Sequence, residues 1–347
     1  MQYAAAVMRI AFDRPPVRVF FTVDTEVWPR SPGWPEVPLG SEETCERERA
    51  AYFWGGDGPQ RRGLPYQLET LRRHGLQATF FVDPLFSRCL GAQSLADVVG
   101  VINEAGQEIA LHLHPEWLTD PRCQDLPKFA GPLLHQYGEA AQAQLVAAGL
   151  QLLSQAGAQN ILAFRAGSWG ANLATLRALA STGIQFDSSL NVYTPYSFPD
   201  LRDRDLCIQP QVLEGIWEFP VTFFVDRPPR GIRPLHVTAC SFAEFVLALE
   251  HAHAEGWFAV VIVFHSFEFV HVASLDRAGG RAGPQRLLSR RFERLCRYLS
   301  SHREHFVTSR FSQLDTVPAL ATSYQPARSN VVRTAARQAS QLLSRLL

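Results

Sequence analysis

Short apolar runs recur along the chain, and between them the apolar positions shift to a spacing of three and four. Val17–Val23, Gln77–Asp83, Glu108–Leu113, Ile161–Phe164, Ile184–Phe186, Gly215–Phe224, Phe258–Phe264 and His305–Thr308 are rich in β-branched and aromatic residues and read as strands. Most are apolar on consecutive positions, the mark of strands buried on both faces. Pro65–His74, Ser94–Glu104, Glu139–Gln155, Asn172–Thr182, Ser241–Glu255 and Pro284–His302 read as helices, with Ser94 placed as an N-cap. Strands and helices alternate, which implies a parallel sheet covered by helices. Residues 28–65, rich in Pro, Gly and charge, read as a long insertion over one end of the fold, and 191–214 as an irregular polar connection.

With 347 residues, 46% apolar and 19% charged, the chain can build a sizeable core. Its formal net charge of zero argues against a nucleic-acid partner. Arginine supplies almost all the positive charge, Lys128 being the only lysine. The six cysteines lie far apart with no C-x-x-C pair, so neither a zinc ribbon nor a disulfide scaffold is expected. Met1–Phe12 has no long apolar core and no basic start, so a cytoplasmic setting is the expectation.

The chemistry gathers where strands end. Val17–Val23 runs into Asp24-Thr25-Glu26, and Glu108–Leu113 carries His112 and continues to His114. Residues i and i+2 of a strand share a face, so each pair projects together. Arg165, Asp187 and His265 follow three further strands. Closed parallel barrels place their chemistry at this end. Two His and one carboxylate make a three-ligand metal site with open positions. The remaining carboxylate can take a proton from water, and His265 can protonate a leaving group. Asp187 is expected to hold the tautomer of His265, and Arg165 to fix the base carboxylate. No G-x-G-x-x-G follows the first strand, so dinucleotide chemistry has no support.

In ordered blocks over roughly residues 17–310 the chain resembles the polysaccharide deacetylases with the NodB-homology domain, carbohydrate esterase family 4. Phe21–Glu26 resembles the family's first motif, with a leading Asp as base and a following acid as metal ligand. Glu108–Pro115 is similar to the paired-His motif, and Phe164–Gly170 to the motif whose Arg meets the base. Asp187 and Val263-Phe264-His265 resemble the Asp–His pair acting as general acid; Ala78–Val82 and Trp217–Pro220 are similar to family strands. The resemblance implies a distorted (β/α)7-type barrel over 17–315, between an extension (1–16) and a linker with a C-terminal helix (316–347). It implies metal-dependent removal of N- or O-acetyl groups from an acetylated sugar or glycan precursor. The catalytic set is then Asp24, His265, Asp187 and Arg165, and Glu26, His112 and His114 hold a divalent metal, expected to be zinc. The sequence departs from the family in three places: Thr25 separates the two acids, the two His are closer than usual so that Glu116 or His135 competes with His114, and the third motif lacks its usual Pro-Tyr.

Competing readings are a metal-independent hydrolase of cyclic amides on the same fold and an inactive carbohydrate-binding barrel. An amidohydrolase-type barrel would carry His-x-His on its first strand, and a non-haem iron oxygenase would be antiparallel. Trp28, Trp117, Trp169 and Trp217 stand beside the motifs and are candidates to stack on sugar rings, with core packing the alternative and, for Trp217 within an apolar strand, the favoured one. In residues 331–347, Ala335, Ala339, Leu342, Leu343 and Leu346 recur at helical spacing, with Arg333, Arg337 and Arg345 on another face. This helix either docks on the barrel or makes weak, salt-sensitive contact with the inner face of a membrane.

Overall fold

Period-two alternation sorts the first strand, β1 (Val17–Thr25), between two cores: Val19, Phe21 and Val23 face the larger one, under the helices, and Phe20 a smaller inner one. The computed structural model describes residues 14–28, 34, 35, 42–56, 62–203, 207–226, 231–271, 283–318, 320 and 324–346. The other strands are β2 (Thr79–Val82), β3 (Glu108–Leu113), β4 (Ala163–Ala166), β5 (Phe186–Asp187), β6 (Gln211–Leu213), β7 (Ile216–Glu218), β8 (Phe223–Val225), β9 (Ile232–Pro234), β10 (Ala259–His265), β11 (Val270–His271), β12 (Gly283–Pro284) and β13 (Phe306–Thr308).

Nine strands form the main sheet, in the order β10-β1-β2-β3-β4-β5-β7-β6, with β13 also on β1. Pairing is parallel except between β6 and β7. The segment after β7 returns to β10. Thr222 donates its N–H to Val261 O and accepts from Val261 N at 2.9 Å. Val263 N donates to Leu235 O and Val237 N to Val263 O. These bonds curl the sheet into a distorted β/α barrel, the fold class expected from the sequence.

The stretch Gly215–Phe224 does not form one strand. Pro220 has no N–H to give a ladder, so β7 stops at Glu218 and the chain crosses to β10. Ser94 is not an N-cap: the helix spans Ala92–Glu104, and Ser94 Oγ donates back to Leu90 O at 2.7 Å.

The inner core is an aromatic floor. Phe311, just beyond β13, has ring centroids 4.9 Å from Phe20, 5.2 Å from Phe219 and 5.5 Å from Phe186. Alternation then carries each inner face from apolar to ionisable: Phe20, Thr22, Asp24 on β1; Ala110, His112 on β3; Ala259, Val261, Val263, His265 on β10.

The C-terminal helix Val331–Leu346 docks on the barrel by polar groups. Thr334 and Arg337 are buried, and Arg337 pairs with Asp226 at 2.7 Å and Glu244 at 3.0 Å. Arg337 therefore does not belong to a solvent-facing basic stripe, and Ala335 and Ala339 are exposed. The side chains of Leu342, Leu343, Arg345 and Leu346 lie outside the described residues. No helix among the described residues is long and apolar enough to cross a membrane.

Candidate active site

Strand register assembles the site. Parallel pairing sets Asp24 beside His265, His112 beside Arg165 and Asp187 beside Glu218. Glu26, one residue past β1, reaches across to the His pair. Its Oε2 lies 2.9 Å from His112 Nε2 and 2.6 Å from His114 Nε2. His112 Nδ1 donates to Arg165 O at 2.7 Å, and His114 Nδ1 faces Glu116 Oε2 at 3.3 Å. Both rings thus turn Nε2 inward, the orientation that partners behind a metal-binding imidazole enforce.

This donor set fits a divalent cation. His114 Nε2 is buried with no partner in hydrogen-bond geometry, although the Glu26 oxygen is close by. Two imidazoles and one carboxylate, all buried, are zinc-type donors. Burial opposes charge on Glu26, yet His114 and His112 hold its carboxyl well below the usual carboxylate range. Burial likewise opposes charge on His114, and Glu26 and Glu116 nevertheless raise it well above its ordinary value. Gly167 makes the close approach possible. A Cβ there would sit 2.5 Å from Leu113 O and 2.8 Å from the His114 ring. Glu116 stands behind His114, and His135 lies outside the cluster.

On one side of this cluster, Arg165 donates to Asp24 Oδ1 at 2.6 Å. Its Nε and second amino group are taken by Ser188 O and Oγ, and its guanidinium lies over Phe81 and Trp169. Ser168 and Trp169 both have positive φ, 51° and 62°, a strained turn that sets the indole over Arg165. On the other side, His265 Nε2 is 3.7 Å from Glu26 Oε1 and its Nδ1 is 2.8 Å from Glu268 Oε1. The same Glu268 oxygen is 3.2 Å from His236 Nε2. Burial opposes charge on His265, but Glu268, then Glu26 and Asp24, push it up to about 9.

Asp187 is not the partner of His265. It accepts from Ser189 Oγ at 2.6 Å and faces Glu218 across the β5–β7 pair, both fully buried. Burial raises both carboxyls, Glu218 well above its ordinary value, because two charges cannot be sustained side by side there. Glu268 stands at the position beside His265 Nδ1 that was expected of Asp187. It sits three residues beyond His265 in the turn after β10, where strand periodicity says nothing, and His236 enters through a single bridge to Val263.

A cavity of about 550 Å³ opens over these groups, lined by Asp24, Glu26, His112, His114 and His265 together with Trp28, Trp169, Tyr52, Tyr196 and Phe267. Trp28 is 40% exposed at its rim. Trp117 and Trp217 do not line it. Trp117 is buried and donates from its indole to Asp83 Oδ2 at 2.9 Å. Trp217 is in register with Phe186, packs against the inner core and borders a separate cavity with Tyr324.

No family model and no curated protein matches the chain. Solved structures do. A family 4 carbohydrate esterase from Streptomyces lividans, in complex with acetate, is similar at 15% identity and a TM-score of 0.42, over 85% of this chain and 93% of that one. A protein from Mycobacterium smegmatis, provisionally described as a polysaccharide deacetylase, is similar at 20% identity and 0.46, over 89% and 96%. A carbohydrate esterase family 4 pseudoenzyme from Bacillus anthracis is similar at 10% identity and 0.35, over 73% and 56%.

Proposed function

We propose that this chain is a metal-dependent hydrolase that removes acetyl groups from a carbohydrate. The observation that carries the reading is one Glu26 oxygen shared by His112 Nε2 and His114 Nε2, flanked by the Asp24–Arg165 and His265–Glu268 pairs. Glu26, His112 and His114 would hold a divalent ion, with zinc the best fit to two imidazoles and one carboxylate. Such an ion supplies Lewis acidity and a more acidic bound water.

The chain's own groups divide the proton work. Arg165 occupies one oxygen of Asp24 and fixes the carboxylate at the cavity wall, where it can take a proton as general base. His265, kept protonated by Glu268, faces the same cavity and can deliver its proton to the departing sugar nitrogen or oxygen. Trp28 and Trp169 offer aromatic faces to a sugar ring. The substrate class is an acetylated sugar or glycan precursor. The test is acetate release by the zinc-loaded chain from a panel of acetylated sugars, beside Asp24→Asn. We expect release to fall by on the order of a hundredfold or more while metal is retained. Equal release by the two proteins would overturn the reading, as would no release from any member of the panel.

A further inference from the structure

We propose that a groove between three helices, separate from the catalytic cavity, binds a phosphate group. It has a volume of about 520 Å³ and is lined by Arg290, Arg291, Arg294, Arg333 and Arg337. The helices are Phe242–Ala254, Arg286–Ser301 and Val331–Leu346, and none of the lining residues belongs to the catalytic cavity.

Charge in the groove is unbalanced. Arg337 is matched by Asp226 and Glu244. Arg290, Arg291, Arg294 and Arg333 form no ion pair among the described residues. Arg291 is the informative one: it is 5% exposed, lines the groove and gives a hydrogen bond to Val237 O, with Glu244 and Glu268 acting on it through space but in no ion pair with it among the described residues. Burial draws its guanidinium below the ordinary arginine value. Glu244 is committed to Arg337, and Glu268 to His265 and His236, so neither carboxylate is given over to Arg291, and a buried arginine placed this way is suited to a further anion that arrives from solution. Arg294 is steadied over the Phe242 ring at 4.1 Å, which sets its planar fork at the groove wall.

The third contribution is backbone. Ser241, Phe242 and Ala243 line the groove where the helix Phe242–Ala254 begins. A capping box engages part of this end, Ser241 N donating to Glu244 Oε2 at 2.7 Å and Glu244 N to Ser241 Oγ at 3.3 Å, so the first-turn amides of Phe242 and Ala243 are the ones left facing the groove, where the helix dipole adds positive potential. Arginine forks converging with a helix N-terminus match the several oxygens and double charge of a phosphate better than one carboxylate. Such a phosphate could belong to a soluble ester or to a lipid headgroup. The exposed Val331 and Val332, 75% and 77% accessible at the start of the third helix, give a membrane-borne source an apolar contact.

The test is calorimetric titration of the full chain with inorganic pyrophosphate, beside Arg290→Ala/Arg294→Ala/Arg333→Ala. These three side chains are at least partly solvent-exposed, so the variant should melt as the parent does. We expect one binding event to be lost, each arginine contributing roughly tenfold in affinity. Pyrophosphate at the catalytic site would survive the substitutions and is thereby told apart. A second arm pellets the chain with vesicles of phosphatidylcholine containing phosphatidic acid. Recruitment that pyrophosphate competes away assigns the phosphate to a lipid; pyrophosphate binding without recruitment assigns it to a soluble ester. Absence of both, or binding unchanged in the triple variant, would overturn the proposal.

Discussion

Replacing Glu268 by Gln keeps the length of the side chain and an oxygen facing His265 Nδ1, but removes the charge. That charge, 2.8 Å from the imidazole, is the largest influence raising His265 from 6.5 to about 9 against burial. Because the folded value is raised, the protonated ring stabilises the protein fully below pH 6.5, and this stabilisation is lost as pH climbs through about 9. Two unit charges about 4 Å apart at an effective dielectric of about 20 interact by roughly 4 kcal/mol, or about three pKa units. Gln retains the hydrogen bond and burial partly cancels the pair, so we expect His265 to fall by about one to two units. In a pH profile of kcat/KM for acetate release, the alkaline limb should move down by that amount. The parent-to-variant ratio should be close to one near pH 6 and reach roughly threefold to twenty-five-fold near pH 8.5. A metal beside Glu26 would lower the limb in both proteins and leave the difference intact. Superimposable limbs would remove Glu268 from the acid's control, and a limb shifted upward would contradict its electrostatic role.

Two further substitutions probe the frame. Gly167→Ala places a methyl against Leu113 O and the His114 ring, so metal affinity should fall by about 10–100-fold, read by competition with a chromophoric chelator. Phe311→Ala empties the aromatic floor and should cost about 3–5 kcal/mol in urea unfolding, with the denaturant slope unchanged.

The parts of the site that were legible in the sequence are those that obey strand periodicity. Asp24 with Glu26, and His112 with His114, are two apart and meet because alternate residues share a face. Arg165 and His265 were legible as polar residues at the ends of apolar runs. Glu268 was not, because it reaches back from a turn, and Glu218 was hidden within an apolar strand that gave no sign of facing Asp187. Four tryptophans stand beside motifs in the sequence, Trp217 alone inside an apolar strand. The fold separates them: Trp28 and Trp169 border the cavity, Trp117 is committed to Asp83, and Trp217 packs against the inner core. In the C-terminal helix, apolar spacing suggested the docking face, whereas the buried side chains among the described residues are Thr334 and Arg337, held by Asp226 from far away in the chain.

The central claim is that Glu26, His112 and His114 are one metal site, and elemental analysis of purified protein tests it most directly. We expect about one zinc per chain in the parent and in Asp24→Asn, and on the order of a tenth or less in His112→Ala and His114→Ala. Full metal content in either His variant, or none in the parent after zinc loading, would contradict the account.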